Sequence, residues 1–360
     1  QRRSDRRETD RRETGRRELD SRELERRESS GKRYGRFAAV IIAGVAVLAV
    51  AGLGYAGIQK KKAAEAASAK ATAEADDSNT VTWQGKTYKY NQNLSNYLLL
   101  GVDKRTPAET RVGKADAGQA DALFLLSLNR KTKEMTLISI PRDTMTDVES
   151  FDLEGKSLGK SKDHISLSYG YGDGGAESCK LTQEAVSNLF YGLPIQGYLA
   201  MNLDGIPELA KSVGGLTVTV PNNSLEYKYP EFSEGAEVTL TEENTETFVR
   251  SRDVDESQSA IYRMERQKVF LDAFSKKAKE CYEQNAKFAA DLFVAIKPYT
   301  VTNISEDRLM KLFQTADEGD GYTEWTVPGE GTQGLSYDEY HVDDDALYTK
   351  IMETFYQEVK

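Results

Sequence analysis

Two carboxylates and two guanidinium groups stand at the ends of apolar runs in the stretch Asn96 to Asp143, NYLLLGVDKRTPAETRVGKADAGQADALFLLSLNRKTKEMTLISIPRD. Asp103 and Arg105 follow the first run, Asp121 opens the second, and Arg142 follows the third within Pro141-Arg142-Asp143. Paired carboxylates beside arginines suit a metal-held phosphate. A hard cation such as Mg2+ takes one or two carboxylates plus phosphate oxygens, and arginine forks neutralise and orient the same oxygens. A diphosphate site is one reading. Strand-end turn acids with solvated arginines are the other, since such residues commonly cap turns. Further along, Arg250 and Arg252 flank Ser251, and Arg263, Arg266 and Gln267 occupy the first turns of a long helical pattern. Arginine there opposes the helix dipole, and side chains placed against local preference are expected at ligand sites. A charged solvent face is the plainer alternative.

The elements that would position these groups follow from periodicity. The runs Tyr97–Val102, Ala122–Leu128 and Met135–Ile140 read as buried strands of one sheet, and their ends are where open α/β sheets bind ligands. Val81–Tyr90 alternates as a hairpin around Gln84-Gly85. The sequence then predicts a loop over 148–163, helices over Cys179–Leu189 and Ile206–Val213, and strands over Tyr198–Leu203 and Leu216–Val220. Helices follow over Thr241–Val249 and from about Ile261 to Gln284. The remainder predicts helices near 286–295, 306–315 and 345–359 and a strand over Thr323–Val327. Strands alternating with helices indicate an α/β or α+β sandwich. The acids Asp343–Asp345, beside Tyr337–His341, either cap the last helix or form a second metal site.

Composition narrows the function classes. The 360-residue chain has a net charge of -10, but residues 1–36 carry +5 and residues 80–360 carry -15. An acidic main domain argues against nucleic-acid binding. His164, His341, Cys179 and Cys281 lack ligand spacing, which speaks against structural zinc. No Ser-His-Asp arrangement is readable. The two cysteines either pair outside the cytosol or lie apart as small buried hydrophobes.

Residues 1–36 hold a period-five repeat of the RRETD type almost without apolar residues, which reads as a disordered charged tail. Its arginines either hug anionic lipid headgroups or belong to a solvated spacer. Phe37 to Ile58 is twenty-two residues without a charge, enough to cross a bilayer once as a helix and too long for a signal-peptide core. Lys32, Arg33 and Arg36 with the arginine tail outweigh Lys60–Lys62, so the N-terminus is expected in the cytoplasm and the remainder outside the cell membrane. Residues 59–80 read as a stalk and 81–360 as the folded domain.

LLLGVDKR (98–105), GQADALFLLSLN (118–129), ISIPRDT (138–144), GYLAMNLDGIPELAKSVGGLTVTVP (197–221), FVRSRD (248–253) and RMERQ (263–267) together resemble the LytR-CpsA-Psr family, over roughly residues 95–275. The resemblance implies an α/β fold, a three-layer α/β/α-like sandwich with a mixed central sheet and a hydrophobic tunnel for a prenyl chain. It implies a membrane-anchored extracytoplasmic phosphotransferase. Such an enzyme moves a glycopolymer (teichoic acid, capsule or related wall polysaccharide) from an undecaprenyl-diphosphate carrier to the C6 hydroxyl of N-acetylmuramic acid in peptidoglycan, assisted by Mg2+ or Mn2+, with pyrophosphatase as a side activity. Asp103 matches the family's metal-binding aspartate, and Asp121 the second aspartate, which binds metal or acts as general base on the acceptor hydroxyl. Arg142 matches a diphosphate-binding arginine, Arg105 the arginine beside the first aspartate, and Arg250, Arg252, Arg263 and Gln267 the later clamp. The chain departs from the pattern at Gln119, where many members carry arginine, at His164, where many carry lysine, and at Ala260, where an acid often stands. His164 either replaces the lysine as a diphosphate donor or is an ordinary loop residue. A prenyl-diphosphate phosphatase and a non-catalytic lipid-carrier binding module are the rival readings.

Overall fold

The computed structural model describes residues 80–105, 110–152, 154–285, 287–305, 308 and 322–359. The charged tail, the apolar span over 37–58, nearly all of the stalk and the helix expected near 306–315 lie outside these residues. Among the described residues no helix is long and apolar enough to cross a membrane.

In chain order the strands are β1 (Thr80–Trp83), β2 (Lys86–Tyr90), β3 (Leu94–Val102), β4 (Ala120–Asn129), β5 (Met135–Ile140), β6 (Met145–Phe151), β7 (Ser157–His164), β8 (Gly197–Asn202), β9 (Leu216–Thr219), β10 (Glu237–Leu240), β11 (Thr300–Thr302), β12 (Tyr322–Thr326), β13 (Gly329–Gln333), β14 (Asp338–Val342) and β15 (Tyr356–Glu358). The helices are α1 (Leu167–Gly170), α2 (Ala176–Leu189), α3 (Gly205–Ser212), α4 (Thr245–Arg250), α5 (Ser259–Gln284), α6 (Phe288–Ile296) and α7 (Asp344–Phe355).

The three apolar runs become the middle of a six-stranded sheet ordered β11-β8-β3-β4-β5-β12. It is mixed: β8 with β3 and β5 with β12 are parallel, whereas β3 with β4, β4 with β5 and β8 with β11 are antiparallel. Alternation sends Leu98, Leu100, Leu123, Leu125 and Ile138 into one core, where they meet Cys179 and Val186 of α2 and Leu347, Ile351 and Phe355 of α7. On the other side a second core joins Met201 of β8, Leu209 of α3, Val249 of α4, Phe270 and Phe274 of α5 and Phe293 of α6. Helices therefore cover the mixed sheet on both faces. This side-by-side burial explains why the strand runs are apolar throughout rather than alternating.

Several local expectations change. The stretch 148–163 is not a loop but the hairpin β6–β7, with register from Met145 opposite His164 to Phe151 opposite Ser157. Its second strand buries almost nothing, so it shows no hydrophobic period. The hairpin β13–β14 and the strands β10 and β11 are short and mostly polar and leave no periodic signal in the sequence. The last helix stops at Phe355, and Tyr356–Glu358 pair with β2 instead of completing its stripe. Asp343 caps that helix by accepting from the Ala346 amide at 3.0 Å. Among the described residues no group of three or more acids, histidines or cysteines is arranged to hold a metal. Cys179 and Cys281 are both free, each beside a different core.

Candidate active site

Asp121 owes its position to a defect in the sheet. Gly101 pairs with Ala122 and Val102 with Ala120, so Asp121 is the extra residue of a β-bulge between β3 and β4. Bulges re-aim a side chain at the rim of a sheet. Here the released carboxylate joins Ala122 in the wall of a cleft.

Two arginines hold that carboxylate. Arg142, just past the end of β5, gives Nη1 to Oδ1 of Asp121, and Arg263, on the second turn of α5, gives Nη1 to Oδ2 at 2.8 Å. Arg142 also donates Nε to Asp143 at 3.1 Å and Nη2 to Gln119 Oε1 and, at 3.4 Å, to the hydroxyl of Ser166. Arg263 is only 3 % exposed. Burial lowers its pKa from the ordinary arginine value, Asp121 pulls it back, and Arg142 and Arg252 push in the same direction as burial. Its Nη2 is buried with no hydrogen-bond partner. A buried donor left open is costly unless something else fills it.

Asp103 sits on the other side of Gln119. Its Oδ1 accepts from the Gln119 amide at 2.6 Å, and its own amide donates to the Gln119 carbonyl at 3.1 Å. Gly118, at φ +95°, makes this approach feasible: a Cβ there would lie 2.8 Å from Asp103 Oδ1 and 2.6 Å from Lys104 Cγ.

The remaining expected residues divide. Arg250 and Gln267 line the same cleft as Asp121 and Arg263, and Gln267 donates to the Val249 carbonyl at 3.2 Å. Arg252 donates to Ser259 Oγ at 3.1 Å and stands close enough to Arg263 to perturb it. Arg105 turns away from Asp103 and pairs with Asp204 at 2.9 Å and Glu246 at 2.7 Å. Glu246 also reaches Arg250 at 3.6 Å. His164 is not brought to the arginines: its Nε2 hydrogen-bonds the Asp338 carbonyl at 2.9 Å, and its ring meets Tyr337 edge-on. Gln119, Asp143, Ser166, Asp204 and Glu246 are contacts that sequence reasoning did not pair with the arginines. Only Glu246 carried a signal, lying four residues before Arg250 on a helix.

The cleft lined by Asp121, Arg250, Arg263 and Gln267 and by Leu99, Phe124, Leu199, Met201, Ile206 and Phe270 has a cavity volume of about 140 Å³. It lies between the sheet and the second core. Most of the wall is apolar, with Asp121, Arg250, Arg263 and Gln267 as the polar exceptions. Such a site suits a ligand with an anionic head and a hydrocarbon body.

Residues 55–354 match the LytR_cpsA_psr family. The chain belongs to the LytR-CpsA-Psr family. Among its relatives, the polyisoprenyl-teichoic acid--peptidoglycan teichoic acid transferase TagU of Bacillus licheniformis is 28% identical over 255 residues, 69% of this chain and 73% of that protein. The TagU of Bacillus cereus strain AH820 is 28% identical over 292 residues, 75% of this chain and 84% of its own length. Among solved structures, TagT bound to LI-WTA superposes with a TM-score of 0.54 at 19% identity, covering 73% of this chain and 90% of TagT. B. subtilis TagV gives 0.52 at 22% identity, with 73% and 97% covered. These structures share the LytR-CpsA-Psr fold of a mixed sheet between helices.

Proposed function

We propose that this LytR-CpsA-Psr protein transfers a wall glycopolymer, of the teichoic acid, capsule or related polysaccharide class, from an undecaprenyl-diphosphate carrier to the C6 hydroxyl of N-acetylmuramic acid in peptidoglycan. The observation that carries the reading is Asp121, clamped by Arg142 and Arg263, in the wall of an apolar cleft. The relatives' names, teichoic acid transferases, support the same substrate class.

In this reading the prenyl chain lies along Leu99, Phe124 and Phe270 and the diphosphate lies at Arg250 and Arg263 of the cleft wall. The acceptor hydroxyl oxygen attacks the phosphorus bonded to the glycan. The P–O bond to the lipid phosphate breaks, prenyl phosphate leaves, and Asp121 takes the hydroxyl proton. Arg142 and Arg263 fix both carboxylate oxygens so that the base is oriented before substrate arrives, and they stabilise charge on the transferred phosphoryl group. Asp103 has one oxygen on the Gln119 amide, whereas both oxygens of Asp121 are on arginine, so a hard cation here would draw on Asp103 and on substrate oxygens rather than on a protein cage. Asp103 would hold Mg2+ or Mn2+, joined by Asp121 only where an arginine moves to the diphosphate, and the cation would supply neutralisation of phosphate oxygens. The proposal keeps the sequence expectation that residues 37–58 anchor the domain outside the cell membrane.

Asp121→Asn and Arg142→Ala are expected to abolish attachment of a labelled lipid-linked glycan to peptidoglycan, while circular dichroism shows a folded domain. Undiminished transfer by either variant overturns the assignment. Release of free glycan phosphate without attachment would instead mark a phosphatase, and retention of lipid without turnover a binding module.

A further inference from the structure

The hairpin β13–β14 reaches both segments that carry the arginines of Asp121. On one side the Tyr340 amide donates to the Asp143 carbonyl at 2.8 Å, next to Arg142, and Nε2 of His164 hydrogen-bonds the Asp338 carbonyl at 2.9 Å, two residues before the Ser166 that touches Arg142. On the other, the Asp338 carboxylate accepts from the Gln258 amide at 2.5 Å and the Ser257 hydroxyl at 2.9 Å, at the start of the helix that carries Arg263. Tyr337, next to these anchors, is held but not covered. Its ring meets the mostly buried His164 edge-on, with centroids 6.3 Å apart, and is still 75 % exposed. Leu335, in the turn of the hairpin, and Val254, in the loop before α5, are exposed as well. A fixed, uncovered ring with apolar neighbours marks an interaction surface.

We propose that Tyr337 is a stacking platform for a sugar of the acceptor, the glycan strand of peptidoglycan. The inference rests on the function proposed above. In phosphoryl transfer the attacking and leaving oxygens stand roughly in line through the phosphorus, so a lipid chain in the cleft sends the acceptor to the side away from it. Of the two arginines on Asp121, Arg263 lines the cleft and Arg142 stands outside it. Tyr337 rests on His164, on the Arg142 side. Charge speaks against the other occupants. Asp253, Asp255, Glu256 and Glu339 stand on the same two loops, and acidic loops repel both a polyanionic wall polymer and an anionic lipid surface. Amino-sugar rings carry no charge, and a tyrosine offers their C–H faces an apolar surface while its hydroxyl stays in water.

Tyr337→Ala removes the ring and Tyr337→Phe keeps it, so the pair separates stacking from loss of the hydroxyl. Calorimetry on the full chain in detergent, with a soluble oligosaccharide of alternating N-acetylglucosamine and N-acetylmuramic acid, reads acceptor binding without turnover. The transfer assay reads KM for that oligosaccharide and for the lipid-linked glycan separately. Tyr337→Ala is expected to weaken oligosaccharide binding and raise its KM about three- to tenfold, the fold-change of one aromatic contact. Tm, pyrophosphate binding and KM for the lipid-linked glycan should stay as in the wild type, and Tyr337→Phe should bind the oligosaccharide as the wild type does. Unchanged oligosaccharide binding in Tyr337→Ala overturns the proposal, as does an equal rise in KM for the lipid-linked glycan. Fluorine NMR of fluorotyrosine-labelled full chain in phosphatidylglycerol nanodiscs tests the membrane as occupant, the Tyr337 line being the one lost in Tyr337→Phe. Broadening of that line by a paramagnetic lipid overturns the proposal, whereas a shift only on adding oligosaccharide supports it. If oligosaccharide binding falls as expected but the wild type transfers no glycan, the proposed function fails and the sugar site stands.

Discussion

At the residue scale, burial decides which groups are reactive. Arg263, a residue of the cleft wall, has one guanidinium nitrogen on Asp121 and another buried without a hydrogen-bond partner. Lysine presents a single ammonium and cannot keep both directions at once. Arg263→Lys is expected to cost on the order of 100- to 1000-fold in kcat, the loss typical of one preorganised donor, with the transfer assay as the measure. The cysteines show the same principle in an inert setting. Cys179 is buried in the first core, where desolvation pushes its thiol up to about 12. Cys281 is half-buried and raised less severely, burial being again the main cause. A thiol raised that far is thiolate in only about one molecule in ten thousand at pH 8, and thiolate is the reactive form. A thiol reagent on the native protein should therefore label Cys281 and spare Cys179 until denaturant is added. Cys281→Ser should abolish native labelling.

At the element scale, helix α5 carries the clamp and must be fastened at its start. Arg266 does this: fully buried, it donates Nε to the Phe248 carbonyl at 2.8 Å, Nη2 to the Ser251 carbonyl and Nη1 to Ser224. Burial lowers its pKa to about 10, with Arg263 adding to the shift. Arg266→Met keeps the bulk but strands the buried Phe248 carbonyl and the half-buried Ser251 carbonyl, at a cost of about 2–4 kcal/mol. Thermal unfolding should show Tm lower by roughly 4–16 °C for a domain of this size. The arginine pair of α5 was visible in the sequence because it violates helix preference, and the strands β3, β4 and β5 were visible because they are buried on both faces and read as unbroken apolar runs. Other features had no local signature. Strands β7 and β13 expose most of their side chains, so nothing in their period distinguishes them from loops. The bulge that frees Asp121 is a property of two strands in register, and the turn of Arg105 toward Asp204 and Glu246 depends on residues about a hundred and more positions away. Such pairings are set by tertiary packing, which periodicity within one segment does not encode.

At the scale of the whole molecule, the cleft is where the sheet and the second core fail to close on each other. Gly101 and Ala122 face each other across the bulge with no more than a methyl between them; a Cβ on Gly101 would lie 3.1 Å from the Ala122 methyl. These small residues leave Leu99 only partly buried in the middle of a central strand. A ligand that fills the gap would join both layers, and anything that binds only the folded state stabilises it, by about 2.7 kcal/mol at one hundred times its Kd. A prenyl diphosphate at that excess should raise Tm by roughly 5–11 °C. At the same concentration, pyrophosphate, which has the head alone, and a prenyl alcohol, which has the tail alone, should each raise it less. Gly101→Val puts two methyl groups toward the gap and should weaken tail binding by about 1–3 kcal/mol, the usual cost of overpacking. In that variant the response to prenyl diphosphate should fall toward the response to pyrophosphate, which should itself be unchanged because Arg142 and Arg263 are untouched. If Gly101→Val instead keeps the full shift, the hydrocarbon does not lie along β3 and β4, and the space between the layers is a packing gap with no part in holding the carrier.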